Sequence, residues 1–291
     1  MRQRIGGGNV YYVFNKTCIG YSHKKEKKKC QDFSAAYQDN ERIIITCCDG
    51  HGGAQYIRSH FGSKAASDAV INVFKKINKS FTFAKSKKEI EEKIKLLVLC
   101  EYNKLIEQEF TKHRIKKSEC VALKEEEIDA IKINPAKAYG TTLTGAMIYN
   151  NQIYLIGIGD TEVLTFSKGN IKPAFDNSND PVGNVTYSMC QEDAFRHLKV
   201  SILSLNNIDG ILLCTDGLSS PFQTYDNFYN SFVRPTIRRT LISHSSLGLN
   251  KQIMQIADQL GTGDDVSISL VMKENIKLKN YKDILCRSQK V

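Results

Sequence analysis

The chain has 291 residues, of which 41% are hydrophobic and 25% charged, a composition typical of a globular protein with a sizeable core. It contains no run of 18 or more apolar residues, and residues 1–14 lack a long apolar segment, so the sequence predicts neither a membrane span nor a secretory signal. The nine cysteines form no C-x-x-C pair, which argues against a zinc site and favours a reducing, cytoplasmic setting.

The formal net charge of +10 raises the question of nucleic-acid binding. The excess lies in lysine-rich stretches at residues 24–29, 75–95 and 112–117 and in the tail from residue 273. No zinc finger, RNP motif or aromatic-interleaved basic patch accompanies these lysines, so we expect no nucleic-acid partner. Most of these lysines are expected on solvated faces, and attraction for acidic or phosphorylated partners stays open.

Strand-like runs rich in β-branched residues recur along the chain, at residues 42–48, 141–149, 152–166, 171–175, 200–205, 210–215 and 266–272. Asn150-Asn151 and Lys168-Gly169-Asn170 are predicted as tight turns, and strands joined by such short turns pair antiparallel. Helical patterns lie at residues 52–77, 90–106, 226–243 and 250–260. We therefore predict one α/β (α+β) domain over residues 1–291, with antiparallel sheets covered by helices and a polar surface insertion at 112–135.

Aspartates recur at the predicted ends of strands, most of them beside glycine. The positions are Asp32, Asp49, Asp160, Asp216 and the pair Asp264-Asp265. Any one Asp-Gly after a strand is more often a turn, and a lone His51 is more often a solvated loop histidine. The conjunction of these aspartates in order, one of them beside G-H-G-G, predicts instead that they meet at one rim of a sheet.

Such a group of carboxylates predicts a metal site. Carboxylates at close range cannot all stay ionised without cations, and oxygen ligands favour Mg²⁺ or Mn²⁺ over zinc. Two ions about 3.5–4 Å apart can lower the pKa of a water and aim it at phosphorus. A nearby histidine can protonate the leaving alkoxide. The pattern therefore predicts phosphoryl hydrolysis.

The motifs C-Q-D, C-D-G-H-G-G, Y-G-T-T-L, G-I-G-D-T, C-T-D-G-L and G-D-D-V-S-I-S-L-V, in this order, resemble those of the 2C-type metal-dependent Ser/Thr protein phosphatases. The G-Y-S-H opening and M-C-Q-E-D-A-F-R-H-L are similar to the compact bacterial branch of that family. The resemblance covers residues 18–273. It implies a β-sandwich of two antiparallel sheets, flanked by helices on both faces, with a binuclear Mg²⁺ or Mn²⁺ site at one end and a third, loosely held ion in many members.

The resemblance also implies roles for individual residues. Asp49 would bridge both ions, the Gly50 carbonyl would bind one, and Asp32 would act on the second directly or through a water. Asp216 and Asp264 would complete the shell of the first ion, with Asp264 preferred over Asp265. His51 matches the proposed general acid, and Asp160, with Asp216, matches the third-metal site.

This sequence departs from the family pattern at three positions. Gln31 stands where many members have glutamate, and Glu162 stands where arginine is common. The arginine that grips substrate phosphate in animal relatives would fall near Lys27, a residue that can bind phosphate as a point charge but not with a bidentate fork.

The function that the resemblance implies is hydrolysis of phospho-Ser/Thr in phosphorylated proteins by a monomeric bacterial cytoplasmic enzyme, with a Ser/Thr kinase as a natural partner. A catalytically weak or inactive relative that binds a phosphoprotein or kinase is the first alternative, and a metal-dependent nuclease is the second. A P-loop or kinase-type enzyme is excluded because the motifs G-x-x-x-x-G-K-[ST] and H-R-D are missing from the sequence. The resemblance also implies that residues 175–198 influence the choice of substrate, and the N-S-N-D-P segment within them is typical of a mobile polar flap.

Overall fold

A computed structural model describes residues 2–5, 9–175, 186–243 and 245–276 of the chain. The described residues form eleven strands: β1 Arg2–Ile5, β2 Asn9–Cys18, β3 Phe33–Gln38, β4 Arg42–Cys48, β5 Leu143–Tyr149, β6 Gln152–Ile158, β7 Glu162–Ser167, β8 Asn170–Pro173, β9 Lys199–Ser204, β10 Gly210–Cys214 and β11 Val266–Lys273. They also form ten α-helices: α1 Tyr21–Lys25, α2 Ser59–Lys76, α3 Lys79–Thr82, α4 Lys87–Lys112, α5 Glu125–Ile133, α6 Ala194–His197, α7 Asp216–Ser219, α8 Tyr225–Phe228, α9 Arg234–Ser243 and α10 Leu247–Gln255.

The strands form two antiparallel sheets, as the short turns predicted. One sheet has six strands in the order β1-β2-β11-β10-β7-β8, and the other has five in the order β3-β4-β5-β6-β9. The sheets pack face to face through an apolar core to which β2, β10 and β11 contribute from one side and β4, β5 and β6 from the other. Helices α2 and α4 cover the outer face of the five-stranded sheet, and α7 to α10 cover that of the six-stranded sheet. The predicted sandwich with helices on both faces is confirmed.

Strand β4 shows why a strand of this sandwich can be apolar throughout, without alternating apolar and polar residues. All seven residues of R-I-I-I-T-C-C are buried. Ile43 and Ile45 belong to the core between the sheets, whereas Ile44 belongs to the core beneath α2 and α4. Because successive side chains point to opposite faces, a strand covered on both sides needs apolar residues throughout.

The predicted turns form where the residues can adopt left-handed backbone angles. Asn150 and Asn151 have φ of 48° and 60° and connect β5 to β6, and Lys168 has φ of 48° between β7 and β8. The prediction of one strand over residues 152–166 was wrong. Gly159, with φ of +92°, ends β6, and β7 continues in the other sheet, so the break places Asp160 on a loop between the sheets.

Three further boundaries differ from the sequence predictions. Strand β2, N-V-Y-Y-V-F-N-K-T-C, was missed although its β-branched and aromatic residues are typical of a strand. The helix predicted over 52–77 begins only at Ser59, because the glycine-rich segment before it forms turns. The segment predicted as a polar insertion, 112–135, contains α5, and its Ile131 is buried against the core beneath α4. No helix in the described ranges is long and apolar enough to cross a membrane.

Candidate metal centre

The strand register brings the predicted aspartates to one rim of the sandwich. Phe33, which follows Asp32, pairs with Cys48, which precedes Asp49. In the other sheet Cys214, two residues before Asp216, pairs with Ile268 near the start of β11. The start of β3 and the end of β4 therefore share one edge of their sheet, and the end of β10 and the start of β11 share one edge of theirs.

The carboxylates are close enough to perturb one another. Burial raises the pKa of Asp49 well above its usual value, and the charges of Asp32, Asp216, Asp160 and Asp264 raise it further. Burial likewise raises the pKa of Asp32, with added repulsion from Asp265, Asp264 and Asp216. These shifts indicate that the aspartates lie near one another, and carboxylates at close range stay ionised together only when cations compensate their charge.

Hydrogen bonds hold the Asp49 backbone at the rim. The amide of Asp49 donates to Oγ1 of Thr142 at 2.9 Å, and its carbonyl accepts from Oγ1 of Thr141 at 2.8 Å. Thr142 Oγ1 in turn lies 2.7 Å from Oγ1 of Thr161. Gly50 has no room for a side chain, since a Cβ there would lie 2.4 Å from the carbonyl oxygen of Gln31. The threonines of Y-G-T-T-L therefore position the carboxylate that precedes the glycine.

His51 lies beside this cluster. Its backbone amide donates to the carbonyl of Gly140 at 3.1 Å, and its ring packs against Tyr56 with 4.9 Å between centroids. Burial lowers the pKa of His51, and the charge of Asp160 opposes that shift. Nε2 is buried without a hydrogen-bond partner among the described residues. A buried polar nitrogen next to a carboxylate cluster is suited to contact a ligand.

Asp264 and Asp265 differ in their surroundings. Both oxygens of Asp265 accept backbone hydrogen bonds, from Gly20 at 2.8 Å and from Gln31 at 2.6 Å. The side chain of Asp264 is 55% exposed, and His23, Asp264 and Asp265 each offer one ligand atom within 4.8 Å of the others. Nδ1 of His23 lies 3.0 Å from Oδ1 of Asp265. Asp265 therefore fastens the segments before β3 and β11, which leaves Asp264 as the carboxylate that can turn toward a cation.

Asp160 and Glu162 stand at the edge of the cluster. Thr186 donates to Oδ2 of Asp160 at 2.6 Å, and Asp160 itself is exposed. The nearby charge of Asp160 is, after burial, the largest cause that raises the pKa of Asp216. Burial raises the pKa of Glu162, and a hydrogen bond with Tyr225 opposes it. The glutamate in place of arginine is thus buried against a tyrosine.

Gln31 and Lys27, the other two departures from the family pattern, have different environments. The Gln31 amide donates to the His51 carbonyl at 3.2 Å and to Oγ of Ser59 at 2.6 Å, so this side chain supports the loop that carries His51. Lys27 is exposed, with φ of 55°. Its role in phosphate binding remains a prediction. Residues 177–184, the polar part of the predicted flap, lie outside the described residues.

The donor set fits the divalent cations that the sequence predicted. Asp32, Asp49, Asp216 and Asp264 offer carboxylate oxygens, which hard cations such as Mg²⁺ and Mn²⁺ prefer, and their charges interact. Among the described residues, the group whose ligand atoms all lie within 4.8 Å of one another is His23, Asp264 and Asp265. Two positioning residues escaped sequence reasoning, Thr215 and His23. Thr215 stands directly before Asp216 and donates to Asp32 at 2.7 Å, and His23 belongs to the G-Y-S-H motif, to which no role had been assigned.

The fold and the rim define a helix-flanked double-sheet sandwich with an acidic cluster at one end. The family model for protein phosphatase 2C matches residues 19–255, and the chain belongs to this family. The resemblance inferred from the motifs is therefore confirmed. A search of curated protein sequences finds no match.

Solved structures show the same fold at low sequence identity. A bacterial serine phosphatase is 17% identical, with 91% of this chain and 98% of that chain covered and a TM-score of 0.58. The serine/threonine phosphatase Stp1 from Staphylococcus aureus is 18% identical, with 93% and 97% covered and a TM-score of 0.56. The catalytic domain of the phosphatase PstP, solved with two manganese ions, is 14% identical, with 90% and 98% covered and a TM-score of 0.51.

Proposed function

We propose that this chain is a metal-dependent phosphoprotein phosphatase that hydrolyses phosphoserine and phosphothreonine with two Mg²⁺ or Mn²⁺ ions. The observation that carries the proposal is the convergence of Asp32, Asp49, Asp216 and Asp264 at one rim. Beyond the effect of burial, the charges of Asp32, Asp216 and Asp264 raise the pKa of Asp49. Bound divalent cations would offset the repulsion among these carboxylates. The two manganese ions in PstP support the same assignment.

Different residues of the rim would bind the ions and transfer the proton. Asp49, the Gly50 carbonyl, Asp216 and Asp264 would hold one ion, and Asp49 with Asp32 the other. Bound ions would neutralise the phosphate oxygens and lower the pKa of a coordinated water. In its protonated form, His51 would donate a proton to the departing serine or threonine oxygen, and its Nε2 has no hydrogen-bond partner among the described residues.

The neighbouring residues suggest a further ion and the partners. Asp160 and Asp216 would bind a third, loosely held ion at the exposed edge of the cluster. Phosphorylated proteins are the proposed substrates, and a Ser/Thr kinase acting on the same proteins is the proposed functional counterpart. The cytoplasm is the proposed location.

The test is hydrolysis of p-nitrophenyl phosphate and of a phosphothreonine peptide with EDTA, Mg²⁺ or Mn²⁺. Three proteins are compared: the wild type, Asp216→Asn, and the control Asp129→Asn, which removes an exposed carboxylate of α5 whose ion pair with Lys132 should contribute little. We expect metal-dependent turnover that Asp216→Asn abolishes and Asp129→Asn leaves unchanged.

Two results would overturn the proposal. Turnover in EDTA equal to that with metal would exclude the cluster as the catalytic centre. A folded protein that binds Mn²⁺ in calorimetry but hydrolyses neither substrate would make the chain a phosphoprotein-binding relative rather than an enzyme.

A further inference from the structure

A large open groove lies next to the candidate metal centre. Its volume is about 1220 Å³, and its walls come from the loop after β4, the start of α2, the end of α4 and the segment that follows α4. Gln31, Gly52 and Gly53 line the end nearest the cluster, so the groove begins at the neighbours of Asp32 and His51. An extended chain that places a phosphorylated residue at the metal centre can continue into this groove.

The groove is strongly basic. Six lysine or arginine side chains line it, against two glutamates. Both glutamates have partners within the groove: Glu119 pairs with Arg58 at 2.8 Å and Glu109 with His113 at 3.0 Å. In the described part of the chain, no ion pair joins a carboxylate to the side chains of the four lining cations Lys29, Lys112, Arg114 and Lys116.

The outer wall of the groove is held in place by a buried arginine. The Arg58 guanidinium, at the start of α2, donates to both carboxylate oxygens of Glu119, at 2.8 and 3.0 Å, and to the Arg114 carbonyl at 3.2 Å. It also donates to the hydroxyl of Tyr139 at 2.8 Å. These bonds fix the backbone of residues 113–119 beside α2. The cations of this segment are therefore carried by an anchored wall rather than by a free loop.

Gln31 connects this groove to the reaction centre. It lines the groove, precedes Asp32 in the chain and donates to the His51 carbonyl. On the same wall, Lys29 lies 5.7 Å from the ring centroid of Phe61 and 3.2 Å from Nε2 of His60. Lys29 thus places a cation in the groove two residues before Gln31.

We infer that this groove binds the segment of a phosphoprotein substrate next to its phosphorylated residue, and that it selects segments carrying acidic or additional phosphorylated side chains. The inference rests on the proposed phosphatase function and adds a substrate class to it. The charge of the wall residues is complementary to such a segment, and complementary charges raise both the rate of encounter and the specificity. Binding in the groove contributes to the Michaelis constant and not to hydrolysis itself.

The test compares two phosphothreonine peptides, one flanked by aspartate and glutamate and one by serine and glutamine. The groove variant carries Lys112→Ala, Arg114→Ala and Lys116→Ala. The control variant carries Lys88→Ala, Lys172→Ala and Lys251→Ala, which lowers the net charge equally at exposed positions outside the groove. Fluorescence anisotropy in EDTA measures peptide binding without the metals, and kcat and KM are then measured with Mn²⁺.

In the wild type and the control, we expect the acidic peptide to bind more tightly than the neutral one. The groove variant should bind the acidic peptide about ten-fold more weakly and hydrolyse it with a KM about ten-fold higher, since three exposed charge pairs each contribute modestly. Turnover of p-nitrophenyl phosphate should not change, and added salt should erase the preference for the acidic peptide.

The binding arm separates the failure of this inference from that of the proposed function. Equal binding of both peptides by the wild type, or equal losses in the groove and control variants, would overturn the groove assignment even if the protein is an active phosphatase. A lack of turnover together with selective binding that only the groove variant loses would overturn the enzyme and retain the groove. A competition experiment tests nucleic acid as the occupant of the groove. If single-stranded RNA displaces the labelled acidic peptide at a lower concentration than the unlabelled peptide does, the peptide assignment is overturned in favour of nucleic acid.

Discussion

Thr215 donates a hydrogen bond of 2.7 Å to the carboxylate of Asp32, a residue 183 positions away in the chain. Burial raises the pKa of Asp32, and this hydrogen bond opposes the rise. The same hydroxyl accepts from the backbone amide of Ser267 at 2.9 Å, so Thr215 orients Asp32 relative to both β10 and β11. A residue that contacts a metal ligand rather than the metal can control how well that ligand binds.

We therefore predict that Thr215→Val weakens Mn²⁺ binding by about ten-fold or more, the range known for partners of metal ligands. Thr215→Ser keeps the hydroxyl and should retain most of the affinity. Calorimetric titration with Mn²⁺ measures both variants, and a thermal melt without metal reports any general loss of stability. Equal affinity for Mn²⁺ in Thr215→Val and the wild type would show that the hydrogen bond from Thr215 does not affect metal binding by Asp32.

A second prediction concerns His51 and the leaving group. If the buried ring protonates the departing oxygen, His51→Gln should lower kcat for a phosphothreonine peptide by about 100-fold or more, within the range for general acid catalysis. p-Nitrophenol leaves without protonation, so turnover of its phosphate should fall much less. A series of aryl phosphates with phenols of increasing pKa checks this, since the loss should grow along the series. A uniform loss would assign His51 to structure or binding instead.

A third prediction concerns the Arg58–Glu119 ion pair. Hydrogen bonds from Arg58 lower the pKa of Glu119 to about 2, from a usual value of 4.5. Because the folded-state pKa is lowered, the stabilisation is fully present above about pH 4.5 and is lost as the pH falls toward 2.

Glu119→Gln should therefore lower the free energy of unfolding at pH 7 by about 1 to 2 kcal/mol, since Arg58 is buried and loses its charged partner. The difference from the wild type should shrink as the pH falls below 4.5, where Glu119 of the unfolded chain binds a proton. Urea unfolding at several pH values measures this, and Glu126→Gln, an exposed glutamate of α5, is the matched control. A difference that does not depend on pH would remove the ion pair as its cause.

The sequence predicted the sandwich because its strands carry local signals. The buried run of β4 and the paired asparagines between β5 and β6 each depend on a few neighbouring residues, and the structure has both where they were expected. The strand predicted over residues 152–166 ran through the break at Gly159, although the polar residues Asp160 and Thr161 follow it directly. Its positive φ is needed because the chain passes there from one sheet to the other. Periodicity carries no information about which sheet a strand joins.

For the candidate site too, the sequence predicted the residues that carry local signals and missed those that depend on contacts between distant segments. The aspartates were found because each stands at a strand end beside a motif, and their convergence follows from antiparallel pairing. Other contacts join segments that are distant in the chain. They are the hydrogen bond from Thr215 to Asp32 and the two backbone hydrogen bonds that Asp265 accepts. A single sequence offers no pattern that predicts such contacts. The basic groove was missed for the same reason: Lys29 and Arg114 belong to two separate lysine-rich stretches, and only the fold places them on one groove.

The last prediction uses His60 as a reporter of the charge in that groove. Burial, together with the charges of Lys29 and Arg58, lowers the pKa of His60 from 6.5 to about 4, while Glu119 opposes this shift. The ammonium of Lys29 can only donate, so Nε2 of His60, 3.2 Å away, accepts and the ring is neutral at pH 7.

The sign of the effect on stability follows from the direction of this shift. Between about pH 6.5 and 4 the unfolded chain binds a proton that the folded chain does not, so stability should fall as the pH is lowered through this window. His60→Gln should flatten that part of the profile. NMR titration of the ring protons should show the pKa rising in Lys29→Ala and rising in the wild type when an acidic peptide fills the groove, because an anion offsets the lysine charge. If the pKa of His60 moved with neither change, burial alone would account for it and the positive field of the groove would have no measurable effect on this ring.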